Sequence, residues 1–171
     1  NTAVATIYSN LGLGKYLKSI GVDYQTSAVG ERYVIEKMRE TGSNIGGEES
    51  GHMVLADYSL TGDALVASIV TCLGVKESGK KMSDIFPVFV PYPTAAHNLR
   101  FNSKDEVSAL LEKADFQQCL AKAKEALENH GSIIVRKSGT EPVLRLKIED
   151  ENQELVTEIS EKILACIKKL S

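Results

Sequence analysis

Residues that bind metals or form cross-links are scarce in this 171-residue chain. Its three cysteines, Cys72, Cys119 and Cys166, are odd in number and far apart. Such spacing does not build a disulfide framework. Because all three fall in apolar helical patterns, the expectation is reduced core thiols in a cytoplasmic protein. The three histidines, His52, His97 and His130, stand alone, with no ligand spacing between any two and no cysteine beside them. No dense run of aspartates suggests a magnesium site. Basic charge is not in excess either. Twenty Lys and Arg against 23 Asp and Glu leave a net charge of -3, which argues against a nucleic-acid scaffold with a broad basic face. No apolar run is long enough to span a bilayer, and the first residues lack a basic stretch followed by an apolar core. Internal repeats and low-complexity tracts are absent. The chain opens without methionine, straight into a strand-like segment, and so reads as an internal piece of a longer protein.

What is present is an ordinary globular composition, 43% hydrophobic and 25% charged. The first half alternates strand and helix signals. Ala3 to Tyr8 reads as a buried strand. Leu13, Leu17 and Ile20 recur at helical spacing, with Gly21 as the stop. Asp23 to Thr26 reads as a strand, and Val29 to Glu40 as a helix closed by Thr41-Gly42. A glycine-rich turn leads to a strand over His52 to Ala56, and Thr61-Gly62-Asp63 starts a strongly apolar helix through Leu65, Ile69, Cys72 and Leu73. A short helix covers Met82 to Phe86. Three of the four prolines, Pro87, Pro91 and Pro93, then fall together. Proline favours extended backbone before it, so this stretch reads as a hinge between domains at 1–90 and 91–171.

Beyond the hinge, Asn98 to Phe101 and the segments near 132 and 143 read as strands. Ser103 with Glu106 resembles a capped helix start, Phe116 to Leu127 reads as a helix, and Leu155, Ile159, Ile163 and Ile167 mark a terminal amphipathic helix. The fold class expected is α/β: a layered α/β sheet domain followed by a small α+β domain with an antiparallel sheet and packed helices. A domain of about 75 residues is expected to have a thin core and to lean on a neighbour.

The most informative stretch is Arg136-Lys137-Ser138-Gly139-Thr140-Glu141-Pro142, framed by two apolar strands. Arginine offers a planar fork of donors, Ser and Thr add hydroxyls, and Gly139 lets backbone N–H groups turn toward an anion. Arg145 lies a few residues into the second strand and can return to the same spot. On chemistry alone the stretch is either a phosphate site or a charged hairpin turn. The second cluster, Gly46-Gly47-Glu48-Glu49-Ser50-Gly51-His52, is either a sugar-hydroxyl site or a polar turn. It is not a nucleophile elbow, because the residues two away from Ser50 are Glu48 and His52 rather than glycines. A third stretch, Gly74 to Lys81, nearly matches a nucleotide phosphate loop. It ends in Lys81 where Ser or Thr would hold magnesium, and it follows a helix, so it reads as a solvated linker. Thr61-Gly62-Asp63 reads first as a helix cap.

In order along the chain, Ser9 to Leu13, Val29 to Val34, Gly47 to His52, Thr61 to Asp63 and Arg136 to Pro142 resemble motifs of the α-D-phosphohexomutase family, and within it the bacterial branch that acts on glucosamine phosphate. Glu31 stands where that branch usually has Asp, Glu49 where it more often has Gln, and Ala64 where Gly is common. Lys137 favours the glucosamine branch. The resemblance covers nearly the whole chain but only the third and fourth of the family's four domains. The phosphorylated serine and the Asp-rich magnesium loop of the first two domains do not occur here.

The resemblance implies a reaction for the full enzyme, the interconversion of glucosamine 6-phosphate and glucosamine 1-phosphate through a phosphoserine and a bisphosphate, supplying UDP-N-acetylglucosamine and cell-wall precursors. Mg2+ would be bound outside this chain, and the chain alone would be inactive. Its partners would be a hexosamine phosphate and the missing N-terminal domains of the same protein, with no nucleic acid or membrane. Glu48, Ser50 and His52, helped by Glu31 and Arg32, would face the sugar. Arg136, Ser138, Gly139, Thr140 and Arg145 would hold the phosphate that is not reacting. A hinge near Pro91 would let the clamp domain close. A fragment acting on mannose or glucose phosphate, or a stand-alone sugar-phosphate-binding module, remain the alternatives.

Overall fold

The structure, a computed structural model, describes residues 1–128 and 130–170. The chain forms two compact units, Asn1–Pro91 and Tyr92–Ser171. The class is the expected mixed α/β.

In the first unit, β1 (Thr2–Thr6), α1 (Leu11–Ser19), β2 (Asp23–Ser27), α2 (Glu31–Thr41), β3 (Ile45–Gly47) and β4 (Met53–Leu55) build a four-stranded sheet in the order β2-β1-β3-β4. β1 is parallel to β2 and β3, and β4 returns antiparallel to β3. The chain crosses from β1 to β2 on one side and back past β1 to β3. Crossovers of a single hand therefore place α1 and α2 on opposite faces. α2 packs on the face that carries Val4 and Val54, and Val34 and Met38 complete a buried cluster of four. Gly42, at φ 68, ends α2 in the left-handed conformation that glycine adopts freely.

Gly46 corrects the expectation of a glycine-rich turn, because it lies inside β3. A Cβ there would stand 2.5 Å from Met38 Sδ and 2.7 Å from Val34 Cγ1, so the glycine lets α2 lie close on the sheet. α3 (Ala64–Ser78) and the short α4 (Met82–Ile85) complete the unit. Asp63 caps α3, its carboxylate accepting from the N–H groups of Leu65 at 2.9 Å and Val66 at 3.1 Å. Gly74 to Ser78 form the last turns of α3 and Gly79 closes it at φ 64, so the phosphate-loop lookalike is mostly helix rather than linker. No residue of α3 is buried, and Cys72 is exposed. Apolar composition at helical spacing pointed to a core position for Cys72 that it does not occupy.

In the second unit, β5 (Thr94–Arg100), α5 (Lys104–Glu112), α6 (Ala114–Ala126), β6 (Ser132–Lys137), β7 (Val143–Glu149) and α7 (Gln153–Leu170) form an antiparallel sheet, β5-β7-β6, with three helices. β5 starts four residues earlier than expected, because it pairs with β7 along its whole length from Thr94–Glu149 to Arg100–Val143. Alternate residues of β7, Leu144, Leu146 and Ile148, face a core filled from α5, α6 and α7 by residues such as Val107, Phe116, Val156, Ile159 and Ile163. That core is not thin. Ser103 caps α5 by accepting from Glu106 N–H at 3.2 Å, and the Glu106 carboxylate reaches back to Asn102 N–H at 3.1 Å, one residue earlier than in the usual capping box.

Cys119 and Cys166 are partly buried against the core. Burial, with a hydrogen bond to Cys119 second, pushes the Cys166 thiol up from 9.0 to about 11. On the opposite face of the sheet, Lys147 Nζ meets Glu149 Oε1 at 2.8 Å, with only 5% and 2% of the two side chains exposed, and Thr94 Oγ1 donates to the same carboxylate oxygen at 3.0 Å. Among the described residues, no helix is long and apolar enough to cross a membrane.

Candidate functional site

Each unit carries one of the two polar loops. In the first, the loop between β3 and β4 is held closed by two backbone bonds, Glu48 N–H to the His52 carbonyl at 2.9 Å and Gly51 N–H to the Glu48 carbonyl at 3.0 Å. The fold gathers Glu48, Ser50 and His52: Ser50 Oγ lies 2.9 Å from His52 Nδ1, and Glu48 Oε2 lies 3.8 Å from that same nitrogen. A nucleophile, base and acid relay uses the two ring nitrogens for different partners, one toward the hydroxyl and one toward the acid. Here both groups address Nδ1, so the cluster presents hydroxyl, imidazole and carboxylate as a hydrogen-bonding surface rather than as a nucleophile.

Glu48 is the buried member, with 10% of its side chain exposed against 58% for His52. Its Oε1 accepts from Gly30 N–H at 2.8 Å. Gly30, at φ 127, occupies backbone space that only glycine enters readily. Glu31, the first residue of α2, reaches the next loop, where its Oε1 accepts from Gly62 N–H at 3.0 Å. Two carboxylates thus tie three loops in series: β3–β4 to the start of α2, and the start of α2 to the start of α3. These tethers join residues 18 and 31 positions apart and have no signature in the sequence. Arg32 is exposed, pairs with Glu36 at 3.2 Å and lies 5.1 Å over the Tyr33 ring. A concave site of about 290 Å3 opens beside the loop, lined by Ser50, Gly51, His52, Gly62 and Asp63 among others.

In the second unit, the loop between β6 and β7 runs from Ser138 to Pro142. Ser138 is buried, and Gly139 and Thr140 are exposed. Ser138 N–H donates to the Val143 carbonyl at 2.8 Å, and its hydroxyl accepts from Glu141 N–H at 3.3 Å, so the serine anchors the turn. Gly139 is not among the glycines with positive φ. Its Cβ position faces open space, and what it offers is close approach to the backbone rather than a left-handed nest. Arg136 and Arg145 stand directly opposite each other in the antiparallel register, on the face away from the core. Like charges opposed across strands repel, and Arg145 Nε is buried with no hydrogen-bond partner. An anion between the two guanidinium groups would relieve both costs. Lys104, missed in the sequence, donates to the Gly139 carbonyl at 2.8 Å, Lys137 reaches Ser108 Oγ at 3.2 Å, and Arg100 pairs with Glu141 at 3.1 Å. The loop is thus bordered by cations supplied from β5, α5, β6 and β7.

Among the described residues, no group of three or more His, Cys, Asp or Glu side chains gathers to hold a metal ion.

Comparison with known proteins agrees with both units. Residues 1–92 match the family model for phosphoglucomutase/phosphomannomutase, alpha/beta/alpha domain III, and residues 97–165 match that for the phosphoglucomutase/phosphomannomutase C-terminal domain. A phosphoglucosamine mutase of Azorhizobium caulinodans is 40% identical over 98% of this chain, and one of Parvibaculum lavamentivorans is 42% identical over 96%. The chain spans 37% and 36% of those proteins' lengths, in their C-terminal part. Among solved structures, N-acetylphosphoglucosamine mutase of Aspergillus fumigatus superposes with a TM-score of 0.77 over 99% of this chain and 38% of its own, at 14% identity. An N-acetylglucosamine-phosphate mutase in its substrate complex gives 0.75 over 97% of this chain and 38% of its own, at 18% identity. At such identities these superpositions speak for the fold alone. Two family models that together cover both units, with relatives at about 40% identity along nearly the whole chain, decide the matter: this chain belongs to the phosphoglucomutase/phosphomannomutase family, as its third and C-terminal domains.

Proposed function

We propose that this chain is the substrate-holding part of a phosphoglucosamine mutase, which interconverts glucosamine 6-phosphate and glucosamine 1-phosphate. The observation that carries the reading is the pair Arg136 and Arg145, opposed across β6 and β7 beside the Ser138–Thr140 loop. Two fixed guanidinium groups, a serine-anchored turn and exposed Gly139 and Thr140 suit a phosphate dianion. The names of the bacterial relatives favour glucosamine as the sugar.

In this reading the first unit holds the sugar. Glu48, Ser50 and His52 offer acceptors and donors to its hydroxyls, while Glu31 fixes the loop at Gly62 and Arg32 lines the approach. In the reaction, a phosphoserine gives its phosphoryl group to the free hydroxyl of the sugar phosphate. The resulting bisphosphate returns the other phosphoryl group to the serine. A sugar that presents either end to one serine needs a fixed anion clamp for the end at rest and a tolerant loop for its hydroxyls. This chain supplies the clamp and the loop, and the phosphoserine belongs to the domains ahead of it. A solved relative from Aspergillus fumigatus is in complex with GlcNAc-6P and magnesium. Among the described residues of this chain no cluster of carboxylates, histidines or thiols fits a magnesium ion, which in this reading is held by the domains ahead of it.

The test is titration calorimetry of the chain with glucosamine 6-phosphate, mannose 6-phosphate and glucosamine. Arg136→Ala is expected to weaken glucosamine 6-phosphate by about 1.5–3 kcal/mol, roughly ten- to hundredfold, and to leave glucosamine unchanged. Equal losses for the phosphorylated and neutral sugars would reject the clamp. Tighter binding of mannose 6-phosphate would reject the sugar assignment alone.

A further inference from the structure

Most of the backbone of the loop between β6 and β7 is fastened. Ser138 N–H donates to the Val143 carbonyl and Glu141 N–H to Ser138 Oγ. Val143 N–H donates to the Glu141 carbonyl and Phe101 N–H to the Pro142 carbonyl, both at 2.9 Å. Pro142 has no N–H to place. Among the described residues, this leaves the N–H groups of Gly139 and Thr140 as the loop's backbone donors without a protein partner.

The carbonyl between those two N–H groups is held from outside the loop. Lys104, the first residue of α5, donates from Nζ to the Gly139 oxygen at 2.8 Å. Among the described residues there is no cis peptide bond, so the Gly139 carbonyl and the Thr140 N–H leave one planar unit in opposite directions. α5 packs on the core face of the sheet through Val107 and Leu110. Lys137 lies on that same face, opposite Leu144 in the register, and reaches Ser108 of α5. A carbonyl drawn toward α5 therefore turns the Thr140 N–H to the other side, where Arg136 and Arg145 stand. Gly139 has no Cβ, and the space a Cβ would take is open, so nothing local stops this peptide from turning over. Turned over, it would aim a carbonyl oxygen at the anion.

We infer that Lys104 is a positioning residue for the phosphate held by Arg136 and Arg145. It pins the Gly139–Thr140 peptide with the N–H toward the arginines and the oxygen away from them, and it touches no phosphate itself. The inference rests on the clamp reading above and adds one donor to it, the Thr140 N–H. An N–H donated to an anion is a charge-assisted bond, whereas a carbonyl oxygen in its place repels.

The experiment uses the 171-residue chain with inorganic phosphate as the probe. Amide NMR titration gives both the dissociation constant and the Thr140 amide shift. It is run at low salt and at about 0.5 M NaCl, where screening acts within roughly 4 Å. Lys104→Met removes the donor and keeps the stem, Lys104→Arg restores a donor, and Arg136→Ala is the control for the clamp. Lys104 is exposed, so the variants are expected to keep the parent's amide shifts in β7 and α7. Lys104→Met is expected to bind phosphate about five- to tenfold more weakly at both salt concentrations, and Lys104→Arg to stay within about twofold of the parent. Saturating phosphate should move the Thr140 amide proton downfield in the parent and in Lys104→Arg, but not in Lys104→Met. An Arg136→Ala loss without a Lys104→Met loss overturns the role of the lysine alone. So does a Lys104→Met loss that vanishes at high salt, since the lysine would then be one more surface charge, and so does a Thr140 shift that is the same in all three chains. A parent that binds no phosphate, or an Arg136→Ala variant that binds it as tightly as the parent, overturns the clamp and this inference with it.

Discussion

Among the described residues, four side chains of the first unit, Val4, Val34, Met38 and Val54, form its buried cluster, whereas thirteen do so in the second, drawn from β7, from α5, α6 and α7, and from Leu127 just after α6. Every exposed large hydrophobic among the described residues, from Ile7 to Val90, lies in the first unit. Length would have predicted the reverse, because the first unit is the longer and larger domains bury a greater share of their surface. Layering explains the inversion. A three-stranded sheet with three helices on one face closes a core by itself. A four-stranded sheet of the α/β/α kind needs helices on both faces, and one face here stays largely open.

The sharpest test of that contrast is a pair of truncations. Ile163 of α7 is fully buried, so Ile163→Ala should cost about 2–5 kcal/mol. Leu65→Ala on α3 removes a larger exposed surface but is expected to stay within about 0.5 kcal/mol. Urea unfolding of each variant, with hydrogen exchange to assign the loss to one unit, measures both. Similar losses would show that α3 packs in solution as α7 does.

The thiols extend the comparison from packing to chemistry. Cys72, on α3, is exposed, whereas burial holds Cys166, on α7, at a pKa of about 11 rather than 9.0. Near pH 8, two units cut the thiolate fraction, and with it the alkylation rate of Cys166, roughly hundredfold relative to an ordinary thiol. The raised value favours the protonated thiol in the folded state. Its contribution to stability is full below pH 9 and is lost as the pH climbs toward 11. Mass spectrometry after timed alkylation should find Cys72 modified first. Equal labelling would mean that the helices of the second unit open as readily as α3.

Inside the small core of the first unit, Gly46→Ala would put a Cβ within 2.7 Å of both Met38 and Val34, and the overpacking should cost about 1–3 kcal/mol. Adding Met38→Val, which leaves no atom at the δ position nearest that Cβ, should recover part of the loss in thermal unfolding. No recovery would mean that α2 does not sit on β3 as closely as described.

Gly46 also shows where the sequence was legible and where it was not. Strands and helices with a clear period, such as β1 and α7, could be read directly, because burial on one face leaves a repeating pattern. Gly46 looked like a turn residue because sequence reports that glycine permits bending, not that a methionine 8 positions away needs its space. Cys72 looked like core because apolar spacing reports a face that wants cover, whether or not the cover is present. At the candidate sites, the residue types of both loops were visible, and Arg145 was anticipated because a short hairpin brings the two strands back together. The tethers from Glu48 to Gly30 and from Glu31 to Gly62, and the approach of Lys104 to Gly139, join distant loops through single bonds that have no local pattern.

The smallest expected effect separates function from stability within the second unit. Arg136 opposes Arg145, cation against cation, on a sheet face whose ion pair, Lys147 with Glu149, is closed and buried. Replacing Arg145 by Met keeps much of the aliphatic stem and removes one of two like charges. In the absence of anions, Arg145→Met should therefore raise stability by about 0.2–1 kcal/mol. The same substitution should abolish most of the stabilisation that the parent gains from millimolar phosphate or glucosamine 6-phosphate, since an anion adds stability only where its concentration exceeds its dissociation constant for the folded state. Thermal unfolding at low salt with and without phosphate measures both. A gain without ligand and a loss with it would mean that the arginine is kept for the anion at the expense of the fold. If Arg145→Met instead destabilises the chain equally in both conditions, the guanidinium has a structural partner, and the case for a clamp at this position fails.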